Sequence, residues 1–463
     1  MNRIKISLCF ALFAVLLPLS SRAADWTYDS TEKSISDGNF KISVREKNKE
    51  LTLVGITMMP LIPTGEPVVY HLDLSPKVVS TNGTEYCIVE IGKAFTFGHK
   101  GLTKVTLPGN DGALRTIGDS AFQDCIDLES VEPFLPDTVT KLGKSAFAGC
   151  SKLAGSVDLS NIGTLEANIF ENTAIRAVNL PRATKIGKSA FSGCTALETV
   201  TPFLPESLMT LGENVFYNCR RLGGDLVLHN ATEVPKNAFA FTDIDSAALP
   251  KVRTVSYWAF NTCPKLRKVS LPLLEKIEEA AFAHCLSLEN MSHFFPNTLK
   301  AIKNNAFLDC PKLTGDLYVG NPALTTIPGN LFQDSPLRSV TFRNVQKIGK
   351  NAFANLQPGA TVTFLGKAPD PKKIQHTAFY VQKGDINRIV IRGSLRLDPE
   401  GWKAFASIPV TDEDKALPDY PGEGTFGRVD DTENKNTPVK HWCVDYISPY
   451  EPYAPDTLTL EYR

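Results

Sequence analysis

The chain has 463 residues, with 49 Lys plus Arg against 50 Asp plus Glu and a formal net charge of −1. That balance argues against a nucleic-acid partner, which calls for a strongly basic face. A chain of this length has room for about three globular domains, but a short internal repeat overrides that count and predicts one continuous array.

The first 24 residues carry the pattern of a secretory signal. Arg3 and Lys5 form a basic start, residues 6–19 are apolar apart from Ser7, and Ser21-Arg22-Ala23-Ala24 offers small residues for cleavage after Ala23 or Ala24. The apolar run is too short to span a bilayer comfortably, and no second run of about 18 residues follows. The expectation is export through a cleavable signal, with no transmembrane segment. Loss of residues 1–24 leaves 439 residues and a net charge of −4.

Residues 25–71 precede the clear repeats. Phe40-x-Ile42-x-Val44 and Leu51-x-Leu53-x-Gly55-Ile56 alternate as strands do, and Pro60, Pro63 and Pro67 break the pattern. The end of a solenoid exposes an unpaired edge and a bare core, so this segment is read as a β-rich N-terminal cap.

Residues 72–409 form the array. An aliphatic residue, four residues and then Phe recur twelve times, from Ile117–Phe122 through Phe147, Phe170, Phe191, Phe216, Phe239, Phe260, Phe282, Phe307, Phe332 and Phe353 to Phe379. A version one residue shorter ends at Phe95, and the phenylalanines are 21 to 27 residues apart. About thirteen stacked coils with short strands are therefore expected, each too small to bury its own apolar face. The slot before Phe is Ala in nine copies. Seven copies place Cys three after Phe, at Cys125, Cys150, Cys194, Cys219, Cys263, Cys285 and Cys310. Runs such as Leu266-x-x-Val269-x-Leu271 read as a turn entering a very short strand. A longer period lies on top: Phe122 to Phe191 and Phe191 to Phe260 are each 69 residues, and Phe134-Leu135-Pro136 matches Phe203-Leu204-Pro205. Growth by three-coil blocks follows, with related loops at Phe134, Phe203 and Phe294 filling a lateral bend.

Residues 410–463 are rich in Pro and acids, and then alternate as Trp442-x-Val444-x-Tyr446 and Leu458-x-Leu460-x-Tyr462. They are read as a tail with a strand pair that packs back on the array. Its aromatics Trp442, Tyr446, Tyr450 and Tyr453 are the candidate binding residues, because aromatic side chains are favoured at interfaces.

The repeat cysteines are read as buried thiols acting as small apolar fillers. Side chains in identical slots of stacked coils point the same way, which strains a disulfide, and no C-x-x-C spacing marks a metal site. Six copies place Gly four before Phe, or three before at Gly92. Pro235 and Pro328 occupy the same slot, and proline fixes φ near −65°. An ordinary negative φ in a crowded turn is therefore expected. The seven histidines are scattered, and no H-E-x-x-H, G-x-S-x-G or phosphate-loop pattern is present. No catalytic, cofactor or metal residue is assigned.

The frames Ile-Gly-Lys-Ser-Ala-Phe-Ser-Gly-Cys at 186–194 and Ile-Gly-Asp-Ser-Ala-Phe-Gln-Asp-Cys at 117–125 resemble the BspA-like, treponemal-type leucine-rich repeat family. The resemblance covers about residues 72–405. It implies a leucine-rich-repeat solenoid in a secreted or cell-surface protein, and adhesion to host matrix proteins, host receptors or bacterial surface proteins. It carries over no catalytic residue. The expected function is an exported, non-catalytic protein-recognition module. The alternatives are a structural cell-surface layer component or an accessory carbohydrate-binding module, the latter marked by clustered carboxylates or an aromatic platform.

Overall fold

The computed structural model describes residues 25–58, 69–109, 112–289, 295–357, 360–364, 373, 375, 378, 388–392, 442–446 and 457–462. The predicted signal, the prolines at 60, 63 and 67 and the last frame residue, Phe379, lie outside the described residues.

Among the described residues the coils contribute one long and one short strand each, apart from the coil of Phe282, where residues 290–294 lie outside the described ones. The long strands run parallel in groups: Leu102–Thr106 with Ser130–Glu132; Ala154–Asp158, Ala174–Asn179 and Thr199–Thr201; Gly223–Val227, Asp243–Ala248 and Lys268–Ser270; then Asp316–Val319, Ser339–Phe342, Thr361–Phe364 and Arg388–Arg392. The first two breaks fall where the loops at Phe134 and Phe203 enter, three coils apart; the third lies between Lys268–Ser270 and Asp316–Val319, an interval that includes residues 290–294, outside the described residues. In the first loop Phe134 wedges against the rings of Phe147 and Phe170, with centroids 6.1 and 6.2 Å away. Phe294 is outside the described residues, and its neighbour Phe295 makes the matching contacts with Phe307 and Phe332 at 5.8 and 6.3 Å.

The aliphatic slot lies on a second face, in eleven two-residue strands from Thr116–Ile117 to Lys347–Ile348. The third face is a turn. There the residue two before Phe donates its N–H to the next coil, as Ser120 to Lys144 O at 2.8 Å, and Phe122 itself donates to Ala146 O at 2.8 Å. Inside, the frame phenylalanines form an unbroken ladder from Phe122 to Phe353, with neighbouring centroids 5.2–5.9 Å apart and planes within 22°.

The first copy departs from expectation. Ala94 and Thr96 donate to Asp119 O and Ala121 O, as Ser120 and Phe122 do one coil later. Thr96 therefore fills the Phe slot of a full-length frame, and Phe95 stands one place early. Its ring meets Phe122 edge-on, at 85°, instead of joining the stack. A solenoid's first coil has no preceding ring to stack on, so the slot there tolerates a hydroxyl that bonds to Ala121 O at 3.1 Å.

Both ends of the array meet antiparallel strands. Lys41–Lys47 and Glu50–Met58 form a hairpin whose turn residues Asn48 and Lys49 have φ of 54° and 65°, the twist a tight hairpin needs. With Trp26–Asp29, Ser34–Ser36, Val78–Ser80 and Glu85–Ile91 it makes a ring of strand pairings that closes on itself, which removes a free edge. Glu85–Ile91 also pairs in parallel with Thr116–Ile117 and so starts the short-strand ladder. At the other end Thr457–Tyr462 pairs antiparallel with Arg388–Arg392 on one side and Trp442–Tyr446 on the other.

The glycine slot behaves as proline at the same place implies. Gly118, Gly143, Gly187, Gly212 and Gly349 avoid the left-handed region. A Cβ on Gly187 would come within 2.6 Å of Glu166 C, and one on Gly212 within 2.5 Å of Gly187 C. Coil-to-coil contact, not φ, selects glycine here.

Candidate recognition surface

Two positions per coil, two before and two after the Phe slot, lie in the left-handed region through the described coils. The earlier position holds Asn168, Asn214, Asn237, Asn305, Asn330 and Asn351, because Asn tolerates this backbone better than most residues. Some of these amides bond along the rod, as Asn237 Nδ2 to Asn214 Oδ1 at 2.9 Å and Asn330 Nδ2 to Asn305 Oδ1 at 2.8 Å. The later position alternates in places between a side chain and a glycine that makes room for it. A Cβ on Gly193 would lie 3.1 Å from Asn172 Cγ.

Two of these left-handed positions hold large aromatics: Phe241, φ 61°, and Trp258, φ 54°. Trp258 and Tyr257 are each 45% exposed, and Tyr217 is 36% exposed. Tyr217 and Phe241 meet edge-on with centroids 5.6 Å apart, and Lys236 Nζ sits 5.8 Å over the Trp258 ring. Backbone bonds tie the group together. Phe241 N–H donates to Asn261 O at 2.9 Å, and Asn261 N–H donates to Trp258 O at 3.1 Å.

The long-strand sheet presents a different chemistry. Its outward positions are mostly small and polar, among them Ser130, Thr199, Thr201, Ser246 and Ser270. Near its C-terminal end stands Tyr318, 49% exposed. Gly320 makes room for that ring, since a Cβ there would lie 2.9 Å from Tyr318 Cζ. On the adjacent coil Arg338 grips Asp316 with two bonds, Nε to Oδ1 at 3.1 Å and Nη2 to Oδ2 at 2.6 Å. Ser339 also donates to Asp316 Oδ1, at 2.7 Å. The Arg338 bonds, then Ser339, hold the Asp316 carboxyl down at about 2.

The seven repeat cysteines are buried and free. They are more than apolar fillers. Each thiol donates to a backbone carbonyl of the preceding coil: Cys125 to Thr96 O, Cys150 to Phe122 O, Cys194 to Phe170 O, Cys219 to Phe191 O, Cys263 to Phe239 O, Cys285 to Phe260 O and Cys310 to Phe282 O, at 2.9–3.2 Å. Ser335 takes the slot after Phe332 and makes the same bond, to Phe307 O at 2.7 Å; Thr173 and Thr242 take it after Phe170 and Phe239 and bond within their own coil, to Phe170 O and Phe239 O; Leu356 fills it after Phe353. In ten of the described coils the slot holds a small donor, and a thiol is one.

Burial pushes these thiols up, to about 11 for Cys194 and Cys263 and about 12 for Cys310. The folded state thus favours the protonated thiol, and this stabilisation is complete below the unfolded value of 9.0 and is lost as pH rises toward 11. The urea midpoint is expected to fall between pH 9 and 11, and to fall less when Cys194 and Cys263 are both Ser; equal slopes in the two proteins would refute the linkage. At pH 8 a thiol reagent should label exposed Cys87 in the native protein and the repeat cysteines only after unfolding, as read by peptide mapping.

Of the sequence candidates, Trp442 and Tyr446 fall on the strand Trp442–Tyr446, in register with Tyr462 and Leu458. Tyr450 and Tyr453 lie outside the described residues. Trp442–Tyr446 is a strand of the long-strand sheet, whereas the exposed aromatics of the turn face were passed over by sequence reading. The signal was there in the frame: Asn, Ser or Ala fills the slot two before Phe in every other described coil, and Trp258 breaks the pattern. Among the described residues no group of His, Cys, Asp and Glu is placed to hold a metal, and no helix is long and apolar enough to cross a membrane.

A family model for the BspA type leucine rich repeat region matches this chain in six copies, over residues 89–223, 163–289 and 232–359. The chain belongs to that family. Its coils are leucine-rich repeats, and the stacked array of strands and turns is a leucine-rich-repeat solenoid. Solved structures with which it aligns include a leucine-rich repeat protein from Bacteroides ovatus, 20% identical over 66% of this chain and 93% of that one, TM-score 0.36. A leucine rich cell surface protein from Faecalibacterium prausnitzii is 20% identical over 67% and 94%, TM-score 0.36. The pneumococcal vaccine antigen PcpA is 17% identical over 76% and 94%, TM-score 0.39. No curated protein matches the sequence.

Proposed function

We propose that this is an exported, non-catalytic recognition protein that binds a protein partner through the outer face of its C-terminal strand sheet. The partner class is a host matrix protein, a host receptor or a bacterial surface protein. Residues 1–24 direct export and are removed. The observation that supports the reading is Tyr318. It is a half-exposed aromatic seated over a glycine, beside the fixed Arg338–Asp316 pair. Interface hot spots are enriched in Tyr and Arg. The strands Arg388–Arg392, Thr457–Tyr462 and Trp442–Tyr446 extend the same sheet, which keeps Trp442, Tyr446, Tyr450 and Tyr453 as candidates for the edge of the site.

The test is saturable binding to an array of extracellular matrix proteins, receptor ectodomains and bacterial surface proteins. The wild-type chain is compared with Tyr318→Ala and with a truncation ending at Pro409. Binding weakened about tenfold by Tyr318→Ala would support the sheet face. Binding untouched by Tyr318→Ala and lost with the tail would move the site to residues 410–463. Concentration-dependent self-association with no binding would replace recognition by a structural surface-layer role.

A further inference from the structure

We propose that the turn face of the coils of Phe216, Phe239 and Phe260 binds an uncharged polysaccharide laid along the axis of the solenoid. The proposal rests on four observations and is independent of the protein-binding reading.

The first is strain without compensation. Phe241 and Trp258 are the only Phe, Tyr or Trp among the described residues with a left-handed backbone. A large side chain is disfavoured there, and Trp258 stays 45% exposed, so core burial does not repay it. Strain retained at a surface position points to a ligand. The second is register. Tyr217, Phe241 and Trp258 lie on three consecutive coils, and the core rings of those coils are 5.7 and 5.4 Å apart. The three stand at different places in their coils, one after, two after and two before the Phe slot, and Tyr217 and Phe241 touch at 5.6 Å, so a sugar chain following the axis can meet more than one ring. A pyranose presents an apolar C–H face that packs on an aromatic ring.

The third is hydrogen-bonding type. Half-buried Asn214, Asn218, Asn237 and Asn261 lie among the rings. An amide both donates and accepts, as sugar hydroxyls do. The fourth is charge. Around the patch Lys188 pairs with Glu213 at 3.4 Å, Lys265 with Asp243 at 2.7 Å and Arg221 with Glu198 at 3.2 Å, while Lys236 caps the Trp258 ring. Arg220 Nε bonds to Asn218 Oδ1 at 2.7 Å, so the two cations of the patch outside ion pairs are engaged by an amide and a ring, and the heparin comparison tests whether they hold a polyanion.

The experiment is affinity electrophoresis of the purified protein in gels carrying galactomannan, xyloglucan, hydroxyethylcellulose or glycogen, with heparin as the charged comparison. Retardation by at least one neutral polymer is expected. Trp258→Asn and Phe241→Asn should each weaken it at least tenfold while the melting temperature holds or rises, because Asn suits both left-handed slots. Tyr318→Ala should leave it unchanged, which separates this site from the protein-binding face. Retardation by heparin alone, by no neutral polymer, or equally in wild type and both Asn variants would overturn the proposal.

Discussion

Phe216→Ala should cost about 3–5 kcal/mol of unfolding free energy, the range for emptying a fully buried aromatic site. Phe216 is fully buried and stacks on both neighbours, Phe191 at 5.4 Å and 4° and Phe239 at 5.7 Å and 19°. Each such pair adds about 0.5–1.5 kcal/mol beyond area burial. A coil in a solenoid contacts only its neighbours, so the cavity weakens two interfaces at once and lies where neither end cap can compensate. Urea denaturation followed by circular dichroism measures the loss. The single transition is expected to broaden or split, because long arrays lose cooperativity when a central interface weakens. A loss below about 1 kcal/mol, smaller than an ordinary core truncation, would mean that the ring ladder does not couple the coils.

Gly212→Ala should destabilise by about 1–3 kcal/mol, the cost of forcing an extra carbon into a packed site. At a relaxed glycine with ordinary φ the same change would stabilise by about 0.4–1 kcal/mol through the unfolded chain. The sign therefore discriminates between the two accounts of the slot. The added Cβ would stand 2.5 Å from Gly187 C and 2.7 Å from Gly187 O, backbone that can yield only by separating two coils. Gly163 is the control. It also avoids the left-handed region, and the nearest atom to its Cβ would be Arg182 O at 4.0 Å. Gly163→Ala should be neutral or slightly stabilising, and equal effects at the two sites would dismiss coil-to-coil crowding as the reason for glycine.

The candidate surfaces were less legible than the fold. Trp442, Tyr446, Tyr450 and Tyr453 stand out in the sequence because they cluster in a short polar segment. Tyr217, Phe241, Tyr257 and Trp258 are separated by up to 41 residues of repeat and read as ordinary variation within slots. Only stacking brings them to one face, and only the backbone angles mark Phe241 and Trp258 as exceptional. Tyr318 is likewise unremarkable until Gly320 is seen to make room for it.

The period, the aliphatic and aromatic slots, the glycine slot's ordinary φ and the three-coil block are all local or strictly periodic features. A sequence determines them by itself, because every coil repeats the same solution to the same burial problem. What crosses from coil to coil needed the tertiary structure. The partner of each thiol, the crowding that selects glycine and the shift that places Thr96 in the first Phe slot all depend on the distance between one backbone and the next. That distance is set by the hydrogen-bond ladders of three faces acting together, and no single coil encodes it.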